Sequence, residues 1–572
     1  MHPRFTIHAS RFTRLSVALA LLVAACSRTA PPVTRPLPAE PTDIRALTGP
    51  AEYDVVIRNG RVLDGMGNPW IIADVGIRDG KFAKIGHALA RGEREIEARG
   101  LYVSPGWIDM MDQSGGVLPR NGLAENKLRQ GVTTAIGGEG GFPVSASGIP
   151  GYFATLERQG ISINFGSYYS QTQARVAVLG QSARAPTPAE LERMRASVDT
   201  AMRAGAMGMT TALIYPPSSY TTTDELVEVA RAAAKYGGIY ASHIRGEGAE
   251  VVQSVREVIT IAERAGMPGE VFHLKVAYQP GWGVLMDSVR ALVEAARARG
   301  VDVAADLYAY TAGGTGLEAT IPSWAFEGGD DSLKARLRDP QVRERLKREI
   351  QTGSPGWWNI VEAAGGWTGI VLANARNPAN AQYNGMRLPD IAKAMGKGEA
   401  DAAWDLVLEG QGRVMAIYHM MSEPDVETAL RFPWTSIGSD AGAALSASQG
   451  DDLGLPHPRA YGNHVRVISR YVKERKVLTL EEAVRRMTSD PADFFGIKDR
   501  GRIAPGMAAD LAIFDPATVG SGGRPERLYD LPGGAKRMVM RSRGIEYTLV
   551  NGEVTWEKGA LTGAARGEVL RS

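Results

Sequence analysis

Two observations predict an α/β protein, a (β/α)8 TIM-like barrel carrying a small β-sandwich built from both chain ends. The middle of the 572-residue chain alternates short β-branched runs with amphipathic helical segments, and its candidate strands number eight. Short strands separated by turn signals occur near both termini, so one small β domain is interrupted by a large insertion.

In chain order, Arg4, Arg11 and Arg14 precede an apolar run from Leu15 to Ala25, the pattern of an export signal too short to span a membrane. The run ends Leu22-Val23-Ala24-Ala25-Cys26, and Cys26 is the only cysteine. This resembles a bacterial lipoprotein cleavage site, which implies lipidation of Cys26 and an outer-membrane anchor facing the periplasm. Residues 26–51 contain Pro31, Pro32, Pro36, Pro38, Pro41 and Pro50 and read as a semi-extended tether. Residues 52–100 and 497–572 are the two parts of the expected sandwich. Tyr53–Gly60 is read as a strand ending in an Asn-Gly turn, with Arg61–Asp64 as the next strand.

Residues 101–496 form the expected barrel. Its strands are Leu101–Met111, Thr133–Gly138, Ile161–Tyr168, Met207–Leu213, Gly238–His243, Val271–Val276, Val301–Leu307 and Thr435–Asp440. Asp224–Tyr236 and Met286–Arg299 are the clearest helices between them. Residues 312–430 are too many for a loop. They hold a charged helical segment, Ser332–Thr352, and a turn-rich stretch, Gly353–Asn374, and read as an insertion able to cover the barrel mouth.

Net charge is +2 and no basic stripe is interleaved with aromatics, which excludes a nucleic-acid partner. In a barrel of this type the chemistry sits at the C-terminal ends of strands. His243, His273 and Asp440 occupy three such ends. Two imidazoles can bind zinc, and a carboxylate beside a bound water can take its proton and pass it to a leaving nitrogen.

Several segments together resemble the D-aminoacylase (N-acyl-D-amino-acid deacylase) branch of the amidohydrolase superfamily. They are Gly205–Pro217, Ala241–Arg245, Ile437–Asp440, His457–Gly462 and Gly501–Leu511, and the resemblance spans about residues 53–565. It implies a zinc-dependent hydrolase of small N-acyl amino acids. His243 and His273 match the tight-site ligands, Asp440 the catalytic aspartate and Arg459 an arginine that grips the substrate carboxylate. Lys275, Tyr215 and Arg245 are expected around the substrate.

The departures from that pattern define the question. The first strand of such enzymes ends His-x-His, and here Met111 and Gln113 stand at those positions. A thioether and a neutral amide are poor ligands for a borderline ion, so a second metal is not expected. The family's cysteine ligand is replaced by Gly140, and the neighbouring Glu139 offers a carboxylate for a His2Glu set. Glu139 could equally cap a helix or bind a substrate amine. Asp109 is read as structural and Asp112 as free for substrate contact. The expected enzyme holds one Zn2+. The alternatives are a metal-free binding protein on a retired scaffold, or a dipeptidase or cyclic-amide hydrolase. Those relatives use a carboxylated lysine on the fourth strand, and Met207–Leu213 contains no lysine.

Overall fold

The computed structural model describes residues 49–443, 457–522, 526–528 and 537–572, with backbone alone at 526–528 and 537–539. The expected signal, Cys26 and the tether up to residue 48 lie outside the described residues.

Both chain ends build one mixed nine-stranded sheet. The seam between them is the antiparallel pairing of Tyr102–Pro105 with Leu511–Phe514. Val55, Ile57, Val75, Ile77, Val103, Leu511, Ile513 and Leu549 form its buried core. One strand, Tyr53–Val62, runs through the expected Asn59-Gly60 turn, and its register shifts there against Ile71–Arg78. Asn59 takes φ +57°, and a side chain at Gly60 would strike Val103, so the dipeptide makes a bulge. Asn551-Gly552, with both φ positive, does make the two-residue hairpin turn between Ile545–Val550 and Glu553–Glu557.

The predicted first barrel strand is two strands in two sheets, Tyr102–Pro105 and Trp107–Asp112. The change of sheet falls at Gly106, whose N–H bonds to Asp510 O and where a Cβ would lie 2.1 Å from Thr133 Oγ1. Trp107–Asp112, Val132–Gly137 and Asn164–Ser167 form a parallel three-stranded sheet. Tyr169–Ser170, Gly208–Ala212, Ile239–His243, Gly269–Val271, Val303–Leu307 and Thr435–Ile437 form a parallel six-stranded one. The two sheets meet on one side across Tyr168 and on the other at a parallel Asp112–Ala441 bridge, beside Asp440 N–H bonded to Met111 O at 2.8 Å.

Helices return the chain between parallel strands. Thr222 caps Thr223–Ala234 by accepting from Glu225 N–H. Val251–Ala265 buries Val251, Val255, Val258 and Ile259 and stops at left-handed Gly266. The expected helix over Ser332–Thr352 is two helices, Asp330–Arg338 and Pro340–Thr352. Pro340 cannot continue the first helix, and Asp339 caps the second. The insertion also has its own antiparallel sheet of Ala312–Gly316, Met415–His419 and Ile370–Asn374. Part of the stretch read as turns is therefore a strand, paired to residues some forty positions later.

Candidate active site

Glu139 follows the strand Val132–Gly137, and His243 is the last residue of Ile239–His243. His273 and Asp440 do not end strands as the sequence suggested. Their strands stop at Val271 and Ile437, and both residues adopt left-handed φ, +38° and +49°. Such backbone is sparsely populated for non-glycine residues and needs surrounding support. Asp306 Oδ1 supplies it at His273 by accepting the backbone N–H at 3.1 Å.

These turns bring three donor atoms together. His243 Nδ1 lies 2.6 Å from Glu139 Oε2 and 3.0 Å from His273 Nε2, and His273 Nε2 is 3.7 Å from Glu139 Oε2. Glu139, His243 and His273 are the one such group of metal-capable side chains among the described residues. Ligand atoms about 2.0–2.1 Å from a tetrahedral zinc lie about 3.3 Å from one another, so the donor set fits that ion. Both histidines are buried. Burial alone would raise the Glu139 carboxyl, but His243 and His273 hold it well below the usual range. Burial and the Lys275 charge push His273 down, and Glu247 and Glu139 outweigh them to leave it at about 9.

Glu247 was missed by sequence reasoning. Its Oε1 lies 3.1 Å from His273 Nδ1 and accepts from Lys275 Nζ at 2.5 Å, while His243 Nε2 is 3.8 Å away. With His273 Nε2 facing the cluster, its Nδ1 faces Glu247 Oε1 and Lys275 Nζ, and this carboxylate–ammonium pair orients the ring. Against the effect of burial, Lys275, His243 and His273 hold Glu247 below the normal carboxylate range. The signal in the sequence was an acid between Gly246 and Gly248, four residues after a strand-end histidine.

Asp440 faces Arg459, with Oδ2 2.8 Å from Nη1, and Gln113 Nε2 reaches Asp440 Oδ1 at 3.4 Å. Arg459 also lies over the Tyr308 ring and donates to Gly314 O. Lys275 is buried, 2.7 Å from His273 Nδ1. Tyr215 packs edge-on against His243, with its hydroxyl 2.7 Å from Thr315 Oγ1. Arg245 is not brought into the site. Its guanidinium is spent on Glu257 and on the carbonyls of Ser219 and Thr221, so it pins a loop. Asp112 is also not free for substrate: it is fully buried, 2.6 Å from Lys127 Nζ and bonded to Ser114. Met111 is buried among Ile108, Ile136, Tyr168 and Phe272. At Gly140 a Cβ would approach only Gln113, at 3.9 Å, so the position has lost a side chain without gaining a neighbour in its place.

A cavity of about 610 Å3 opens beside the cluster. Glu139, Gly140 and Tyr215 stand on its wall, and much of the rest comes from the insertion, including Trp357, Trp358 and Arg413.

An amidohydrolase family model matches residues 443–556. A D-aminoacylase of Alcaligenes xylosoxydans xylosoxydans is 31% identical over 540 residues, 91% of this chain and 97% of that protein. The chain belongs to the amidohydrolase family, in its D-aminoacylase branch. This amidohydrolase shares its α/β fold with the crystal structure of N-acyl-D-glutamate deacylase from Bordetella bronchiseptica, which was solved with zinc and a phosphonate mimic of the tetrahedral intermediate. The TM-score is 0.73 at 30% identity, covering 91% of this chain and 100% of that one. It is also similar to a D-aminoacylase whose binuclear centre is described by one-metal activation and second-metal attenuation (TM-score 0.72, 29% identity, 91% and 100% coverage). The amidohydrolase is therefore a metal-dependent hydrolase of non-peptide carbon–nitrogen bonds.

Proposed function

We propose that the amidohydrolase deacylates N-acyl D-amino acids, or closely related small amides, with a single zinc held by Glu139, His243 and His273. The observation that carries this reading is the convergence of three donor atoms beside a cavity on whose wall Glu139 stands. Bound there, zinc supplies a lowered pKa for water and polarisation of the scissile carbonyl. Asp440 accepts the proton of the attacking water and delivers it to the leaving nitrogen. Arg459, now paired with Asp440, turns its fork to the substrate carboxylate, a better bidentate partner, and so leaves Asp440 free to act as a base. Lys275 adds a second positive charge on the same side, and Glu247 keeps His273 oriented. Tyr215 borders the cavity next to His243.

Met111, Gln113 and Gly140 offer no ligands for a second ion, which supports one metal where a relative has two. The relatives' printed activities support an N-acyl D-amino acid as substrate. In the same reading the strands of the two parallel sheets act as one closed eight-stranded barrel spanning residues 101–496, Asn164–Ser167 and Tyr169–Ser170 counting as one strand interrupted at Tyr168, with the end strands as its β-sandwich partner. Residues 1–25 direct export, and lipidated Cys26 anchors the enzyme at the membrane, facing the periplasm.

The test is metal content of protein purified without added zinc, paired with turnover of N-acyl-D- and N-acyl-L-amino acids. About one zinc per chain with D-selective turnover is expected. Absence of both metal and turnover would mean a binding protein on a retired scaffold. A Glu139→Gln protein that keeps its full zinc would remove Glu139 from the ligand set.

A further inference from the structure

The proposed deacylation places the amide at Glu139, His243 and His273 and the carboxylate toward Arg459 and Lys275. The amino-acid carbon therefore lies on one side of the scissile bond and the acyl group on the other. The cavity begins at Glu139, Gly140 and Tyr215, and none of Asp440, Arg459 or Lys275 is on its wall. It leads away from the carboxylate grip, in the direction the acyl group must take.

Its size and chemistry do not suit an acetyl group. At about 30 Å3 per water-sized group, 610 Å3 has room for about 20 non-hydrogen atoms, whereas N-acetylalanine in its entirety has about nine. The wall away from the cluster carries Ile321, Phe326, Leu333, Trp357, Trp358 and Ile360. The wall carries two cations, Arg413, which is paired with Glu318 at 2.6 Å and donates to Thr315 at 3.0 Å, and Lys334; the acids Glu139, Glu318 and Asp330 share that wall, so the lining has no excess of positive charge to call for an acidic acyl group. Two half-buried tryptophans facing a space of this size would leave apolar surface in water unless a ligand covered it.

We infer that the substrate's acyl group is a long alkyl or aryl chain, roughly eight carbons or more, held by the insertion's aromatic wall. This rests on the deacylase reading and names its acyl half. Each methylene that is buried can favour binding by about fourfold.

The experiment compares kcat/KM for N-acetyl-, N-octanoyl- and N-phenylacetyl-D-amino acids sharing one side chain, and measures octanoate binding to the holoenzyme by calorimetry. An octanoyl-to-acetyl ratio of at least about tenfold is expected. The ratio should collapse in Leu333→Trp, which fills the cavity, and in Trp357→Gln, a milder change at a half-buried position that keeps the test valid if the first variant fails to fold. A ratio of one or less, with acetyl turnover intact, overturns the inference and leaves the deacylase reading standing. No turnover of any of the three overturns the deacylase reading. Octanoate binding weakened by Trp357→Gln would then still support an acyl-holding cavity, and no octanoate binding would overturn that too.

Discussion

Two buried charged clusters lie near the same ends of the parallel strands, and they differ in how completely they satisfy themselves. Around Lys127, the ammonium meets Asp109 at 2.8 Å, Asp112 at 2.6 Å, Ser439 Oγ at 3.0 Å and Ala441 O at 2.6 Å. Asp109 also accepts from Ser439 N–H, and Asp112 from Ser114. Around His243, three acceptor-capable atoms face one another, and His243 Nε2 is buried with no hydrogen-bond partner. A buried network whose donors and acceptors all match holds a structure together. One in which three ligand atoms converge is a place where a cation can take over from a shared proton. Both clusters are rich in charge, so it is the convergence of three ligand atoms that distinguishes the site.

The largest effect expected from this contrast is in His243→Asn. It should bind less than a tenth of the metal and lose turnover by on the order of a thousandfold or more, with the fold kept by circular dichroism. An active, metal-replete variant would break the contrast at its centre. Lys127→Met should do the opposite, lowering unfolding stability by about 3–5 kcal/mol because two buried carboxylates lose their counter-charge. Denaturant titration measures it.

That loss should grow with pH. Burial already raises Asp112 above its ordinary 3.8, so the folded chain keeps that proton to higher pH than the unfolded chain, and the contribution fades as pH rises. Without Lys127, which pulls both acids down, Asp109 joins it. The variant's deficit should be small near pH 4 and widen toward pH 8. A pH-independent deficit would mean that Lys127 acts through packing.

Glu247→Gln keeps the shape of the site and removes the charge behind His273 and Lys275. Metal affinity should fall by about 10- to 100-fold, read by competition with a chelator. The smallest change is Met111→Leu, which keeps volume in a packed apolar environment and should cost less than about 1.5 kcal/mol without changing metal content. A change in metal stoichiometry there would give Met111 a role in the site.

Much of the architecture was legible because it is periodic. The strand and helix alternation from Val132 to Ile437 follows from local patterning, and most element ends shifted by only a few residues, although the strand read as Val271–Val276 is observed as Gly269–Val271 and shares one residue with it. The failures occurred where distant contacts overrode local signals. Gly106 passes the chain between sheets because Thr133 and Asp510 crowd it, and Asn59-Gly60 bulges because Val103 lies beside it. His243, His273 and Glu139 were legible as residue types at strand ends or within two residues past them. Asp112 looked available because nothing local announces Lys127 as its partner.

The sequence by itself determined the residue chemistry and its order: two imidazoles, an acid in a glycine-rich turn, an aspartate after the last parallel strand, and the missing first-strand histidines. Tertiary structure decided which of these meet. Glu139 reaches His243 across 104 residues and Asp440 meets Gln113 across 327, distances over which no pattern in the chain carries information. It also decided that Arg245 pins a loop, that Glu247 stands behind His273, and that the insertion walls a cavity beside the cluster. The physical reason is range: side-chain alternation records only which face of its own element is buried, whereas a site is made by the ends of several elements whose separation is set by packing.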